Sequence, residues 1–368
     1  MQTDPSPQSD RAFSLLLVAI MTAATLSLCT AGCCLAARQQ PQPPPYTATF
    51  AYFPLAVPVS VLGETLKRDR ILERNLRRLG VQLRFQPFAR GQEAMSLIRA
   101  NRVDAVAFGD MPTIEACVTG RMQIVGLAKQ GYSSIVAPKG TRLNDLKKKR
   151  IGNATASTGH YALLQAISSI GMSEHDLTIM PLNLHEMQPA LEQGQIDAFA
   201  AWEPIPSATL QANPGRFTVL HRQVSLVYFL LSQQLLDKHP EAGAELTAAL
   251  IRSIRWMKKS ERNLETAANW SRNGMSTFIG KTAEIPLQEI KRITSEELLD
   301  VPGIPQLPGS EAGSETLLAK EFSFMQRQNK LPPNTGWEQV RKSFNRKLMI
   351  DVLKQPASFA LNRFEYAP

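Results

Sequence analysis

Cysteine is scarce where it could matter. The 368-residue chain holds four, and Cys29, Cys33 and Cys34 crowd into one short segment, leaving Cys117 alone in the remainder. A single cysteine excludes an internal disulfide framework there, and its apolar, helix-like surroundings mark it as packing. Histidine is limited to five residues, and no Cys/His spacing of the zinc type occurs, so neither a metal site nor a cofactor is expected. The G-x-S-x-G elbow, the P-loop and the G-x-G-x-x-G loop are all missing. No nucleophile stands at a recognisable spacing from a base, which leaves no catalytic constellation and points away from an enzyme. Charged residues make up 20% and hydrophobic ones 43%, a balance that excludes a disordered chain. The net charge of +9 comes without any nucleic-acid reading motif. Its main cluster (Lys67, Arg68, Arg70, Arg74, Arg77, Arg78) reads as the solvated side of a helix striped by Leu62, Leu66, Leu72, Leu76 and Leu79.

The N-terminal region carries an uncharged run. Residues 12–37 have no charged side chain over 26 positions, long enough to span a bilayer. Thr30-Ala31-Gly32-Cys33 has the small residues of a leader cleavage region. It also resembles a bacterial lipobox, with Cys33 as the lipidated residue. A lipoprotein leader, a cleavage site near Ala36 or Ala37, and a retained anchor all stay open; each exports the body of the chain. Residues 38–46, rich in proline, read as a stiff tether.

The body carries one pattern twice. I-R-A-N-R-V-D-A-V-A-F-G-D-M-P begins at Ile98, and L-E-Q-G-Q-I-D-A-F-A-A-W-E-P-I-P begins at Leu191. Asp104 and Asp197 stand 93 positions apart (197 − 104), and Asp110 meets Glu203 at that offset. Repeated supersecondary units define architecture. The repeat predicts two similar α/β lobes, each ending a strand at a shared cleft. Alternation predicts strands over 47–53, 81–85, 103–108, 135–137, 150–153 and 177–181, with a strongly apolar strand over 224–231 returning to the first lobe. One leucine-striped helix is expected up to Gly80, and later helices over 244–258, 263–272, 287–299 and 315–328. Residues 302–314 read as a surface loop.

The turn Ser157-Thr158-Gly159-His160, between a strand end and a helix start, is the leading candidate site. Open N–H groups and the helix dipole suit an anion or polar group. Gly159 allows close approach, and His160 either faces the ligand or packs locally. Ligands in open α/β sheets bind beyond the carboxyl ends of strands. That rule adds Trp202 and Glu203 from the second copy, Gly109 and Asp110 from the first, and Phe53 and Tyr228 around the ring. Arg90 and Arg222 are candidate counter-charges.

Four segments together resemble the extracytoplasmic solute-binding proteins of ABC importers, in the group that binds aliphatic sulfonates, taurine, nitrate and thiamine-precursor pyrimidines. They are V-D-A-V-A-F-G-D-M-P, K-K-R-I-G-N-A-T-A-S-T-G-H-Y, A-L-E-Q-G-Q-I-D-A-F-A-A-W-E-P and Q-N-K-L-P. The resemblance implies an α/β, two-lobed periplasmic-binding-protein type II fold hinged on two crossing strands. Lobe I would comprise 47–130 and 225–368, and lobe II 131–224. It implies a small-molecule ligand, permease and ATPase partners, a membrane attachment through the leader or lipid, and a monomer exported to the periplasm or the outer face of the cell membrane. It places the lobe-two ligand turn on Ser157, Thr158 and His160, the aromatic-acidic turn on Trp202-Glu203-Pro204, and the lobe-one loop on Gly109-Asp110. The first loop, F-P-L-A-V-P at Phe53, is more apolar than is typical of sulfonate binders. The rival readings are an enzyme or carrier of thiamine-pyrimidine synthesis, a regulator's effector domain, and a tethered sensory module.

Overall fold

The computed structural model describes residues 45–310, 313–314 and 316–368. The uncharged run, with Cys33, and most of the tether lie outside the described residues. Among the described residues no helix is long and apolar enough to cross a membrane.

Eight strands form one mixed sheet. They are β1 (Tyr46–Tyr52), β2 (Val81–Pro87), β3 (Ala105–Gly109), β4 (Met122–Pro138), β5 (Arg150–Asn153), β6 (Thr178–Pro181), β7 (Ala198–Trp202) and β8 (Phe217–Ser232), in the order β2-β1-β3-β8-β4-β7-β5-β6. Each half is parallel inside: β1 joins β2 and β3, while β5 joins β6 and β7. The two long strands, β4 and β8, run antiparallel to each other along the middle. β4 comes after β3 in the chain yet pairs with β7, and β8 comes after β7 yet pairs with β3. The halves are thereby exchanged across one central pair.

The internal repeat is structural. β3 and β7 keep the 93-residue offset (198 − 105), as do the preceding helices Gly91–Arg99 and Leu184–Glu192 (184 − 91). Asp104 accepts a hydrogen bond from the Thr49 N–H at 2.9 Å and donates its own N–H to the Thr49 carbonyl at 2.8 Å. Asp197 does the same with Arg150, both at 2.8 Å. Each aspartate clips the start of its strand to the parallel neighbour, which satisfies an edge donor and fixes register. Alternate residues then enter opposite apolar layers: Ala105 and Ala107 one, Val106 and Phe108 the other.

Three expectations change. The leucine stripe is two helices, Val59–Leu66 and Arg70–Arg78, because Asp69 caps the second by accepting from the Ile71 and Leu72 N–H groups. The strand expected at 135–137 is the end of the 17-residue β4, masked by the polar Lys129-Gln130 and Gly131 within it. Residues 302–314 are not wholly surface: the Pro305 carbonyl accepts the Leu127 N–H of β4, and Leu307 is buried. Cys117 is buried and free, its thiol pushed up to about 12 by burial.

Candidate functional site

A cavity of about 380 Å³ opens where strands of both halves end. Phe53 follows β1, Phe88 and Arg90 follow β2, and Gly109 ends β3; from the other half come Asn153 at the end of β5, Asn183 after β6 and Trp202 at the end of β7. The carboxyl ends of parallel strands are where open α/β sheets place ligands. One wall is aromatic. Phe53 stacks on Phe88 with centroids 5.4 Å apart and meets Trp202 edge-on at 6.1 Å, and Phe88 meets Phe108 edge-on at 5.9 Å.

The other wall is the turn after β5. Ser157 caps the helix Thr158–Ser168 by accepting from the His160 N–H at 3.2 Å. Ser157 and Thr158 both line the cavity, at the positive end of that helix. Ala154, Thr155 and Ala156 of the same turn also line the cavity, whereas Gly159 and His160 lie behind it. A Cβ on Gly159 would sit 2.8 Å from the Ala200 carbonyl oxygen, so Gly159 serves helix-to-strand contact and is not on the cavity wall. His160 is buried beneath the turn: its Nδ1 accepts the Ala156 N–H at 3.2 Å and its Nε2 lies 2.8 Å from Glu174 Oε1.

The first-copy residues divide in the same way. Gly109 lines the cavity and touches the opposite half, since a Cβ there would lie 2.2 Å from Thr158 Oγ1. Asp110 is fully buried behind it and accepts from the Met111 N–H at 2.9 Å and the Leu226 N–H at 3.1 Å. Burial raises its pKa, opposed by those bonds and by the Thr158 and Glu321 side chains. Trp202 lines the cavity, whereas Glu203 turns to Ser207, accepting from its hydroxyl at 2.8 Å and its N–H at 3.2 Å. Burial raises the Glu203 pKa as well. Tyr228 is buried in the apolar layer, paired with Phe108 on one side and Leu127 on the other, and is not on the wall. Arg222 lies over the Tyr132 ring at 5.3 Å, also off the wall.

The NMT1-like family profile matches residues 73–271, more than half of the chain. The chain belongs to the NMT1-like family. A Bacillus subtilis (strain 168) protein named for binding aliphatic sulfonates is 25% identical over 199 residues, covering 52% of this chain and 59% of that protein. The NMT1-like chain therefore spans about three fifths of the length of that curated relative. Among solved structures, the alkanesulfonate-binding protein SsuA from Xanthomonas axonopodis pv. citri, bound to MOPS, aligns with a TM-score of 0.61 at 20% identity, over 82% of this chain and 99% of that one. The desulfurization enzyme DSZB aligns with a TM-score of 0.55 at 14% identity, over 84% of this chain and 99% of that one. The fold is thus the α/β, mixed-sheet fold of SsuA-type periplasmic binding proteins.

In this NMT1-like protein several cavity residues escape a reading of the sequence alone. Asn153 is fully buried, lines the cavity, and neither atom of its amide has a hydrogen-bond partner among the described residues. Lys129 lines the cavity from inside β4, its Nζ 2.5 Å from Glu297 Oε2, and the pair is buried. A lone charge in the run V-G-L-A-K-Q-G was its signal. Asn183 also lines the cavity, and Arg90 Nε donates to its Oδ1 at 3.1 Å. These two residues again stand 93 apart (183 − 90), so the repeat itself could have found that contact. A cavity with apolar rings on one side and neutral donors at a helix start on the other can hold an amphiphilic solute, head to the turn and body to the rings.

Proposed function

We propose that this protein is an extracytoplasmic solute-binding protein that captures a small anionic or polar organic solute for an ABC importer. The observation that carries the reading is the Asn153 amide. Burying an amide without partners costs roughly 1–3 kcal/mol, so its place on the cavity wall marks a group meant to be satisfied by a bound molecule. Ser157 and Thr158 would receive the head group at the helix start, while Phe53, Phe88, Phe108 and Trp202 would cover the body. Four rings favour an organic sulfonate over nitrate, because nitrate would leave the apolar wall uncovered. Taurine is a small organic candidate of this kind.

In this reading lobe I (47–130 and 225–368) and lobe II (131–224) close about β4 and β8, with Gly109–Thr158 and Arg90–Asn183 meeting across the cleft. Closure would present one surface to a permease, coupled to its ATPase. The uncharged leader would export a monomer, with Cys33 as a lipid anchor. The desulfurization enzyme of the same fold supplies a second reading. Against it, the thiol of Cys117 is buried and held protonated, which makes it a poor nucleophile. Calorimetry with 1-hexanesulfonate, taurine and nitrate tests the proposal: saturable 1:1 binding of a sulfonate, without turnover, supports it. Turnover of the bound compound, or no binding by any of the three, overturns it.

A further inference from the structure

The turn that lines the cavity contains a residue in an unfavourable backbone state. Ala156 has φ of 56°, the left-handed region, which costs a non-glycine residue roughly 1–2 kcal/mol. It and its neighbours Thr155 and Ser157 all face the cavity. What holds Ala156 there is visible behind it. Its N–H donates to His160 Nδ1 at 3.2 Å, in a helix whose first turn carries that ring. An Nδ1 that accepts must be unprotonated, so the neutral ring carries its hydrogen on Nε2 and donates it to Glu174 Oε1 at 2.8 Å. The second oxygen of Glu174 is 2.6 Å from Lys330 Nζ, which arrives from the distant segment Q-N-K-L-P. The line Lys330–Glu174–His160–Ala156 thus runs from the C-terminal part of the chain to the cavity wall.

We propose that His160 is a positioning residue, which through its Nδ1 holds Ala156 in the left-handed conformation that presents Thr155, Ala156 and Ser157 to the solute, and that its protonation releases the turn. An imidazolium has no acceptor at Nδ1, so acid turns the Ala156 contact from attraction into a meeting of two N–H groups. The charged groups acting on the ring are Glu174 and Lys330, one from the short turn Glu174–Asp176 and one from beyond the helix Leu317–Arg327. Burial lowers the ring's pKa, Glu174 works to raise it and Lys330 to lower it. The turn is accordingly in place at neutral pH and lost in acid. This device also absorbs Gln328–Pro332, a motif without any contact on the cavity.

The affinity part rests on the solute-binding reading; the turn itself does not. Two variants separate the roles. His160→Asn keeps an oxygen near the Nδ1 position and cannot titrate, while His160→Leu removes the acceptor. With 1-hexanesulfonate as probe, His160→Leu is expected to weaken binding at pH 7.5 by about tenfold, the worth of one buried hydrogen bond. His160→Asn should bind within about threefold of the parent and lose the parent's decline in affinity in acid. A merely structural histidine would shift melting in both variants without this split. Full-length protein labelled with 15N in alanine and histidine gives the arm that needs no ligand. The Ala156 amide should titrate together with the His160 ring, stay protected in His160→Asn, and exchange faster in His160→Leu. An Nδ1-protonated ring at pH 7.5, or an Ala156 amide indifferent to His160→Leu, overturns the proposal. Failure of the parent to bind 1-hexanesulfonate, taurine or nitrate, with the amide behaving as stated, overturns the solute reading and leaves the positioning role standing.

Discussion

Gly109→Ala puts one methyl group into a close contact between the two repeated halves. Gly109 has φ of −61°, so alanine meets no backbone strain there and any effect is steric. Its Cβ would lie 2.2 Å from Thr158 Oγ1. Thr158 is buried and its side chain acts on the Asp110 carboxyl, so turning it aside gives up that interaction. Overpacking costs about 1–3 kcal/mol and a released buried partner a similar amount. Because the contact joins opposite halves, the cost falls on the closed arrangement proposed above; about 2 kcal/mol corresponds to roughly 30-fold weaker solute binding. Thr158→Ala removes the offending oxygen, and the nearest remaining atom, Thr158 Cβ, is then 3.6 Å from the new methyl, an ordinary contact. The double variant should therefore be less impaired than the two single ones combined, with a coupling of about 1–2 kcal/mol. Calorimetric titration with 1-hexanesulfonate and urea unfolding of the four proteins measure this cycle. Additive effects in both assays would refute the claim that Gly109 and Thr158 touch across the cleft.

Trp202→Ala should weaken solute binding about tenfold or more by opening the aromatic wall, with the urea midpoint little changed, as calorimetry and denaturation together would show. Glu297→Leu leaves Lys129 charged and buried and should cost about 3–5 kcal/mol of stability, most of it recovered in Lys129→Met/Glu297→Leu. Gly159→Ala drives a Cβ against the rigid Ala200 carbonyl and should destabilise by about 1–3 kcal/mol in urea unfolding, an effect no solute rescues at the wall. Stability should also fall in acid. The folded His160 ring resists protonation while the unfolded one titrates near pH 6.5, so stability is present above about 6.5 and drains as pH drops towards the folded value. Urea midpoints at pH 7.5 and 5.5 should show this decline in the parent and a smaller one in His160→Asn.

The repeat was the most legible feature because it reports local chemistry: small residues that make a central strand, and an aspartate that ties the strand start to a neighbouring N–H. Strand exchange was only half legible. The apolar run at 224–231 announced β8, but β4 carries Lys129 and Gly131 in its middle. A charge inside a strand reads as a break until Glu297 arrives from the far end of the chain. Gly131 has the same origin, since a Cβ there would lie 2.1 Å from the Glu297 carboxyl carbon. Asp69 likewise ends one helix and caps the next, while its carboxylate also accepts from the buried Arg252 at 2.9 Å, a partner 183 positions away. Within the site, strand ends were predictable from the rule that ligands sit beyond them. That rule reaches Phe53, Gly109, Ser157, Thr158 and Trp202 on the wall. It does not separate a wall residue from the one behind it. Asp110, Gly159, His160 and Glu203 each lie within a few positions of a wall residue in sequence, and backbone geometry turns their side chains or contacts elsewhere. Asn153 escaped because an asparagine at a strand end is ordinary; only its buried, unpartnered amide sets it apart.

Solute capture in the cleft is tested most directly by calorimetric titration with linear alkanesulfonates of increasing chain length. The sulfonate is assigned to the helix start and the chain to the aromatic wall, so each added methylene should contribute about 0.8 kcal/mol, close to fourfold in affinity, until the cavity of about 380 Å³ is filled. Saturable 1:1 binding that rises with chain length and then levels off is the predicted result. No binding across the series, or an affinity indifferent to chain length, would contradict it.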